Sequence, residues 1–290
     1  MFPRRTGVGL IVGLASAAAL ALTGCGPTPT AAPAPSSLPS ATSVFASSAT
    51  TTTPPPTTTT TTTPSSPAAA LSGKVVVLDP GHNGGNASHP AQINALVPAG
   101  RGQTKACNTT GTSTNAGYTE HAFNWDVANR VKAELQAKGI TVVMTRSSDT
   151  GVGPCVNERA AVGNNANAAA VVSIHADGSE SAGAHGFHVE YSNPPLNAAQ
   201  GAPSTTLATV LRDNVRNAGF TLANYIGHNG LFGRDDLGGL NLSDRPSVLI
   251  ECGNMRDAGD AATLTSADGR QHIADGITAG IIAYLGGATS

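Results

Sequence analysis

The spacing of apolar residues changes rhythm repeatedly along this 290-residue chain. Lys74-Val75-Val76-Val77-Leu78 is a continuous apolar run closed by Asp79-Pro80-Gly81, the pattern of a strand buried on both faces. Residues 83–117 have no period and are rich in Gly, Asn, Thr and Ser, so they read as one long loop. Over residues 119–138 the spacing becomes helical: Phe123, Val127, Val131 and Leu135 recur every fourth position, with Thr119 placed to cap the start and Gly139 to stop the end. The pattern then predicts strands over 140–145, 168–174, 187–191 and 246–251, and helices over 157–167, 205–218 and 271–285. Strands alternating with helices imply an α/β fold: a single domain whose mostly parallel, twisted sheet carries helices on both faces.

Ahead of this pattern the chain reads differently. Arg4 and Arg5 precede an uncharged apolar run over residues 8–22, the layout of a secretory signal. The run is about 15 residues long, whereas a bilayer-spanning helix needs about 20. It closes on Leu22-Thr23-Gly24-Cys25, which resembles the bacterial lipobox, cut before a cysteine that is then acylated. An ordinary signal peptide cut nearby, with Cys25 removed, is the alternative. Residues 26–72 are almost entirely Pro, Thr, Ser and Ala and carry no charge. Such a segment cannot bury enough apolar surface to offset the entropy of ordering, so it is expected to be a disordered tether. The chain thus divides into an export signal over 1–25, a linker over 26–72 and a domain of about 218 residues over 73–290, ample for one core. It is expected in the periplasm or cell envelope, either held to the membrane through Cys25 or free.

Charge narrows the partners. Without Arg4 and Arg5 there are 14 basic against 18 acidic residues, a net charge near −4. A nucleic-acid binder needs a basic surface to neutralise phosphates, so this balance argues against that class. Aromatic residues make up 4% of the chain, too few for a base-stacking platform. Of the three cysteines in the domain, Cys107 and Cys155 both sit in loop sequence and are expected to pair, since export favours oxidation. Cys252 sits in an apolar strand and reads as a buried free thiol.

The candidate chemistry lies where the predicted strands end. His82, His175 and Glu251 each stand at or just beyond an apolar run, and Glu120 opens the first long helix. In open α/β sheets ligands bind beyond the carboxyl ends of the strands. Two imidazoles and a carboxylate are donors that zinc takes in catalytic sites, leaving one position for water. His82, Glu120 and His175 are 38 and 55 residues apart, so only the fold can bring them together. Each also has a plainer reading: a strand-end His is often a hydrogen-bonded loop residue, and a Glu in a first helical turn answers the helix dipole.

Motif order adds to this. Val77-Leu78-Asp79-Pro80-Gly81-His82 resembles the first motif of the zinc-dependent N-acetylmuramoyl-L-alanine amidases. Glu120, on a helix with Asn124 and Ala128, is similar to their second. Val172-Ser173-Ile174-His175-Ala176-Asp177 resembles the third, and Leu249-Ile250-Glu251-Cys252-Gly253 the fourth, which carries a catalytic Glu. Met144-Thr145-Arg146 with Asp149, and Asn157-Glu158-Arg159, match in type and order. The resemblance implies one zinc ion held by His82, Glu120 and His175. It implies hydrolysis of the amide between N-acetylmuramic acid and L-alanine of peptidoglycan stem peptides, with Glu251 moving the proton from the attacking water to the leaving amine. Cys252 and Asn254 depart from the small or apolar residues more usual there, and the Cys-bearing segment 83–117 has no counterpart in many members.

The remaining polar residues divide by context. His228 and Asn229, with Arg234, lie in a Gly-rich stretch before the Glu251 strand and are candidate stem-peptide contacts. Arg146 and Arg159 read as loop anchors, and His185, His188 and His272 as structural. The chain is expected to act as a monomer on peptidoglycan or muropeptides. A zinc peptidase or deacetylase acting on wall material, or a non-catalytic wall-binding protein, are the alternatives. Pairing of Glu251 with Arg256 would be the plainer reading of that carboxylate.

Overall fold

The computed structural model describes residues 71–288. The export signal with Cys25 and nearly all of the linker lie outside the described residues.

Six strands form one sheet in the order β4-β1-β5-β8-β6-β7. They are β1 (Val75–Pro80), β4 (Thr141–Met144), β5 (Ala170–Asp177), β6 (His188–Ser192), β7 (Leu231–Arg234) and β8 (Ser247–Asn254). β4, β1, β5 and β8 run parallel; β6 is antiparallel to β8, and β7 parallel to β6. The mostly parallel α/β architecture read from the sequence is the one observed.

Alternate residues of the strands serve opposite faces. Val76 and Leu78 of β1, Val172 and Ile174 of β5, and Val248 and Ile250 of β8 point into the main core. Three long helices cover that face: α2 (Glu120–Ala137), α4 (Ala202–Asn217) and α7 (Ala267–Leu285). They contribute Phe123, Val127, Val131 and Leu135; Leu207, Leu211 and Val215; and Ile273, Ile277 and Ile281. These are the fourth-position repeats of the sequence. Leu71, within the expected linker, is buried in the same core.

The opposite face has a thinner cover: α3 (Val156–Asn165), the short α5 (Gly238–Asn241), and a hairpin of β2 (Leu96–Pro98) and β3 (Thr104–Ala106). Its apolar cluster is small, built on Val77, Ala168 and Val171. Segment 83–117, read as one long loop, holds this hairpin and the one-turn helix α1 (Pro90–Ile93). Its strands are only three residues long, too short for alternation to show. The Cys107–Cys155 disulfide staples the end of the hairpin to the residue capping α3, as expected, and Cys252 is a buried free thiol.

Several element ends differ from expectation for local reasons. Thr119 occupies the cap position of α2 but makes no side-chain cap bond. Helix α7 begins at Ala267 because the Ser266 side chain accepts from the Gly269 amide. Helix α6 (Ala258–Thr265), which the periodicity missed, is capped by Asp257 accepting from the Gly259 and Asp260 amides. Strands β5 and β8 run on past the predicted ends to Asp177 and Asn254, so His175 and Glu251 lie within strands.

Candidate metal centre

His82 follows β1 on a turn with φ +58, a left-handed conformation costing a non-glycine residue roughly 1–2 kcal/mol. Buried arginines hold this turn. Arg159 donates to the carbonyls of Pro80 (2.8 Å) and His82 (2.9 Å) and to Asn83 Oδ1 (2.9 Å). Arg146 donates to the carbonyls of Pro80 and His121, both at 2.9 Å. Asp79 anchors Arg159 at 2.8 Å and accepts from Thr145 (2.6 Å) and Ser173 (2.7 Å). Burial pushes the Asp79 carboxyl up, but the Arg159 charge and the hydroxyl bonds outweigh it and hold it at about 2. Both arginines are the loop anchors expected.

The sheet supplies His175 from β5, and helix α2 supplies Glu120 at its first residue. Glu120 Oε1 lies 3.1 Å from His82 Nε2 and 2.9 Å from His175 Nδ1, while its Oε2 accepts from the Thr112 amide at 2.9 Å. One ligand atom from each of the three lies within 4.8 Å of the others. The opposite ring nitrogen of His82, Nδ1, donates to the Thr109 carbonyl at 3.1 Å, which leaves Nε2 aimed inward. Burial pushes the Glu120 carboxyl up, but the two histidines outweigh it and hold it well below its usual range. Burial lowers His82, but the Glu120 carboxylate outweighs it and raises the imidazole.

Two glycines make this convergence sterically possible. A Cβ on Gly81 would stand 2.1 Å from the His175 ring. At Gly111, which has φ +76, a Cβ would meet Glu120 Oε2 and His82 Cδ2 at 2.7 Å.

Glu251 stands opposite His175 in the β5–β8 ladder, on the same face of the sheet. Its Oε2 is buried with no hydrogen-bond partner among the described residues. Burial pushes its carboxyl well above the usual range, and the charges of Glu120, Glu190 and Asp177 push the same way. It does not pair with Arg256, whose Nη1 donates to Asn115.

Of the remaining sequence candidates, none joins the three ligands. His228 and Asn229 are exposed on the turn into β7, the edge strand. Arg234, at the end of β7, is engaged with Glu190 (2.7 Å) and Asp236 (2.7 and 2.8 Å). His188, expected to be structural, forms a buried pair on β6 with Glu190, which the sequence did not single out. The available signal was three polar residues, His188, Glu190 and Ser192, at alternate positions of the strand.

Two imidazoles and a buried carboxylate within reach of one ion fit zinc, which takes these donors and keeps a position for water. A strained histidine turn, a helix-borne Glu and a strand-borne His on an α/β sheet define a zinc hydrolase. The chain belongs to the N-acetylmuramoyl-L-alanine amidase family, which it matches over residues 76–283. It is 48% identical over 215 residues to the N-acetylmuramoyl-L-alanine amidase Rv3717 of Mycobacterium tuberculosis, covering 74% of this chain and 88% of that protein. It superposes on the crystal structure of the N-acetylmuramyl-L-alanine amidase Ami1 of Mycobacterium smegmatis with a TM-score of 0.73 and 50% identity, over 75% of this chain and 99% of that one. For Ami1 of Mycobacterium abscessus the TM-score is 0.71 at 52% identity, over 74% and 100%. As a cell-wall amidase, it works outside the cytoplasmic membrane.

Proposed function

We propose that Glu251 is the general base and acid for hydrolysis of the amide joining N-acetylmuramic acid to L-alanine in peptidoglycan. The observation that carries this role is its place: a half-buried carboxylate beside His175, on the sheet face that bears the metal ligands. His82, Glu120 and His175 would hold the zinc. When bound, zinc supplies Lewis acidity, lowering the pKa of a water toward about 7 and polarising the scissile carbonyl. Glu251 then takes a proton from the attacking water and delivers it to the nitrogen of L-alanine as the C–N bond breaks. The Asp79–Arg159–Arg146 network keeps the His82 turn in place throughout. His228, Asn229 and Arg234 contact the stem peptide from the edge of the sheet, a role that the exposure of the first two favours.

The finer organisation belongs to the same reading. Residues 1–25 direct export, Cys25 carries the lipid, residues 26–70 form the tether, and the monomeric catalytic domain in the cell envelope begins at Leu71, which packs in its core. Mass spectrometry of muropeptide digests tests the bond: free stem peptides with an intact L-Ala amine are expected, and shortened stems with L-Ala still on the sugar would overturn it. Palmitate labelling of the full chain should vanish in Cys25→Ala; equal labelling would rule out the anchor.

A further inference from the structure

We infer that His188 is a positioning residue for Glu251, its Nδ1 hydrogen-bonding the inward carboxylate oxygen while its Nε2 stays on Glu190. The inference rests on the reading of Glu251 as the general base.

Register places the two residues side by side. His188 and Glu251 face each other in the antiparallel β6–β8 ladder. Facing residues of such a pair put their Cβ atoms about 4.5–5.5 Å apart on one face of the sheet. The row across the sheet therefore reads His175, Glu251, His188, with the metal ligand on one side of the carboxylate and the second imidazole on the other.

The hydrogen-bond inventory points the same way. His188 is 1% exposed. Its Nε2 lies 3.4 Å from Glu190 Oε1, and that oxygen also accepts from Arg234 Nη1 at 2.7 Å. Arg234 is forked in turn onto Asp236. One nitrogen of the ring is thus anchored to a fixed chain of charges. The other, Nδ1, is buried with no partner among the described residues, and so is Glu251 Oε2 on the facing residue. Unpaired buried polar atoms are costly, and an Nδ1–H donating to the facing carboxylate oxygen satisfies both. A side-chain rotation or one bridging water closes it.

Neighbouring rings limit what else His188 can do. It stands edge-on to Tyr225 and Phe232, with centroids 6.2 and 6.4 Å away. The Tyr225 hydroxyl is already committed, donating to Asp177 Oδ2 at 2.7 Å. Held in this way, His188 would clamp one oxygen of Glu251 and leave the other turned toward the metal ligands. Orienting partners of this kind typically change activity about 10–100-fold.

The Asn and Gln variants separate the two ring nitrogens. His188→Asn keeps a nitrogen near the Nδ1 position and gives up the bond to Glu190; His188→Gln does the reverse. With zinc content unchanged in both, His188→Gln should lower kcat about 10–100-fold with KM unchanged. His188→Asn should keep most of the wild-type kcat. In zinc-loaded protein with 15N-labelled histidine, Glu251→Gln should shift the His188 Nδ1 resonance. Equal losses in the two variants, or a resonance that Glu251→Gln leaves in place, would overturn the contact. If neither His188 variant folds, the comparison of wild type with Glu251→Gln still decides. Full hydrolysis by Glu251→Gln would remove the base assignment instead, and the resonance would report on the contact separately.

Discussion

The two faces of the six-stranded sheet use alternate residues of the same strands, yet different forces hold them. On one face, three long helices close over a continuous apolar core. On the other, a four-residue helix, a short hairpin and α3 cover a face carrying Asp79, His175, Glu251, His188 and Glu190. That cover is held by a disulfide and by buried arginines bonded to carbonyls. It leaves a cavity of about 210 Å³, bordered by His82, His175, Leu237, Leu240 and Leu249. The first face spends its side chains on stability. The second accepts buried charge, and Glu251 next to Ile250 shows both policies in neighbouring residues of one strand.

Exchanging those neighbours tests the contrast most severely. Glu251→Ala should lower kcat by about 10²–10⁴-fold, the usual worth of a general base, with zinc retained and stability unchanged or raised. Stability does not fall because the substitution removes an unpaired buried carboxyl. Zinc loss by metal analysis would move Glu251 into the ligand set. Removing the staple should come next. Cys107 and Cys155 are 48 residues apart, so Cys107→Ser with Cys155→Ser should cost about 3–4 kcal/mol by loop entropy. A urea midpoint unchanged by the double substitution would show that the arginine network alone holds the hairpin layer.

Ile250→Ala opens a cavity in the other face and should cost about 3 kcal/mol, with kcat per folded molecule unchanged. A kcat loss matching that of Glu251→Ala would mean that the faces are coupled rather than separate. The smallest effect concerns Asp79. Its carboxyl is held at about 2 rather than 3.8 when folded, a shift worth about 2 kcal/mol. Because the folded value is the lower one, this stability is present above about pH 4 and is lost as pH falls through about 2. Asp79→Asn should therefore unfold more easily than wild type at pH 7, with the difference shrinking in acid. A difference independent of pH would assign the loss to packing.

Legibility followed how local the cause was. Helix α2 and helix α7 were readable because the helical repeat writes itself into every fourth residue. The hairpin at β2–β3 was not, because two three-residue strands carry no period. β7 was missed for the same reason, at four residues with a glycine inside. Helix α6 announces itself only through its cap at Asp257. The four site residues were legible as motifs, but His188 was not, because its interest lies in facing Glu251, and register between β6 and β8 depends on a long connection rather than a turn.

The sequence by itself determined the alternation of strands and helices, the acidic balance of the chain, and the ordered His, Glu, His and Glu motifs. These follow from residue type and spacing, which the chain carries before it folds. Only the tertiary structure decided that Glu120 reaches both histidines, that Glu251 pairs with none of the described arginines, and that one sheet face carries its charged side chains under a thin cover. Those outcomes depend on distances between residues far apart in the chain, and such distances are set by the packing of the whole core.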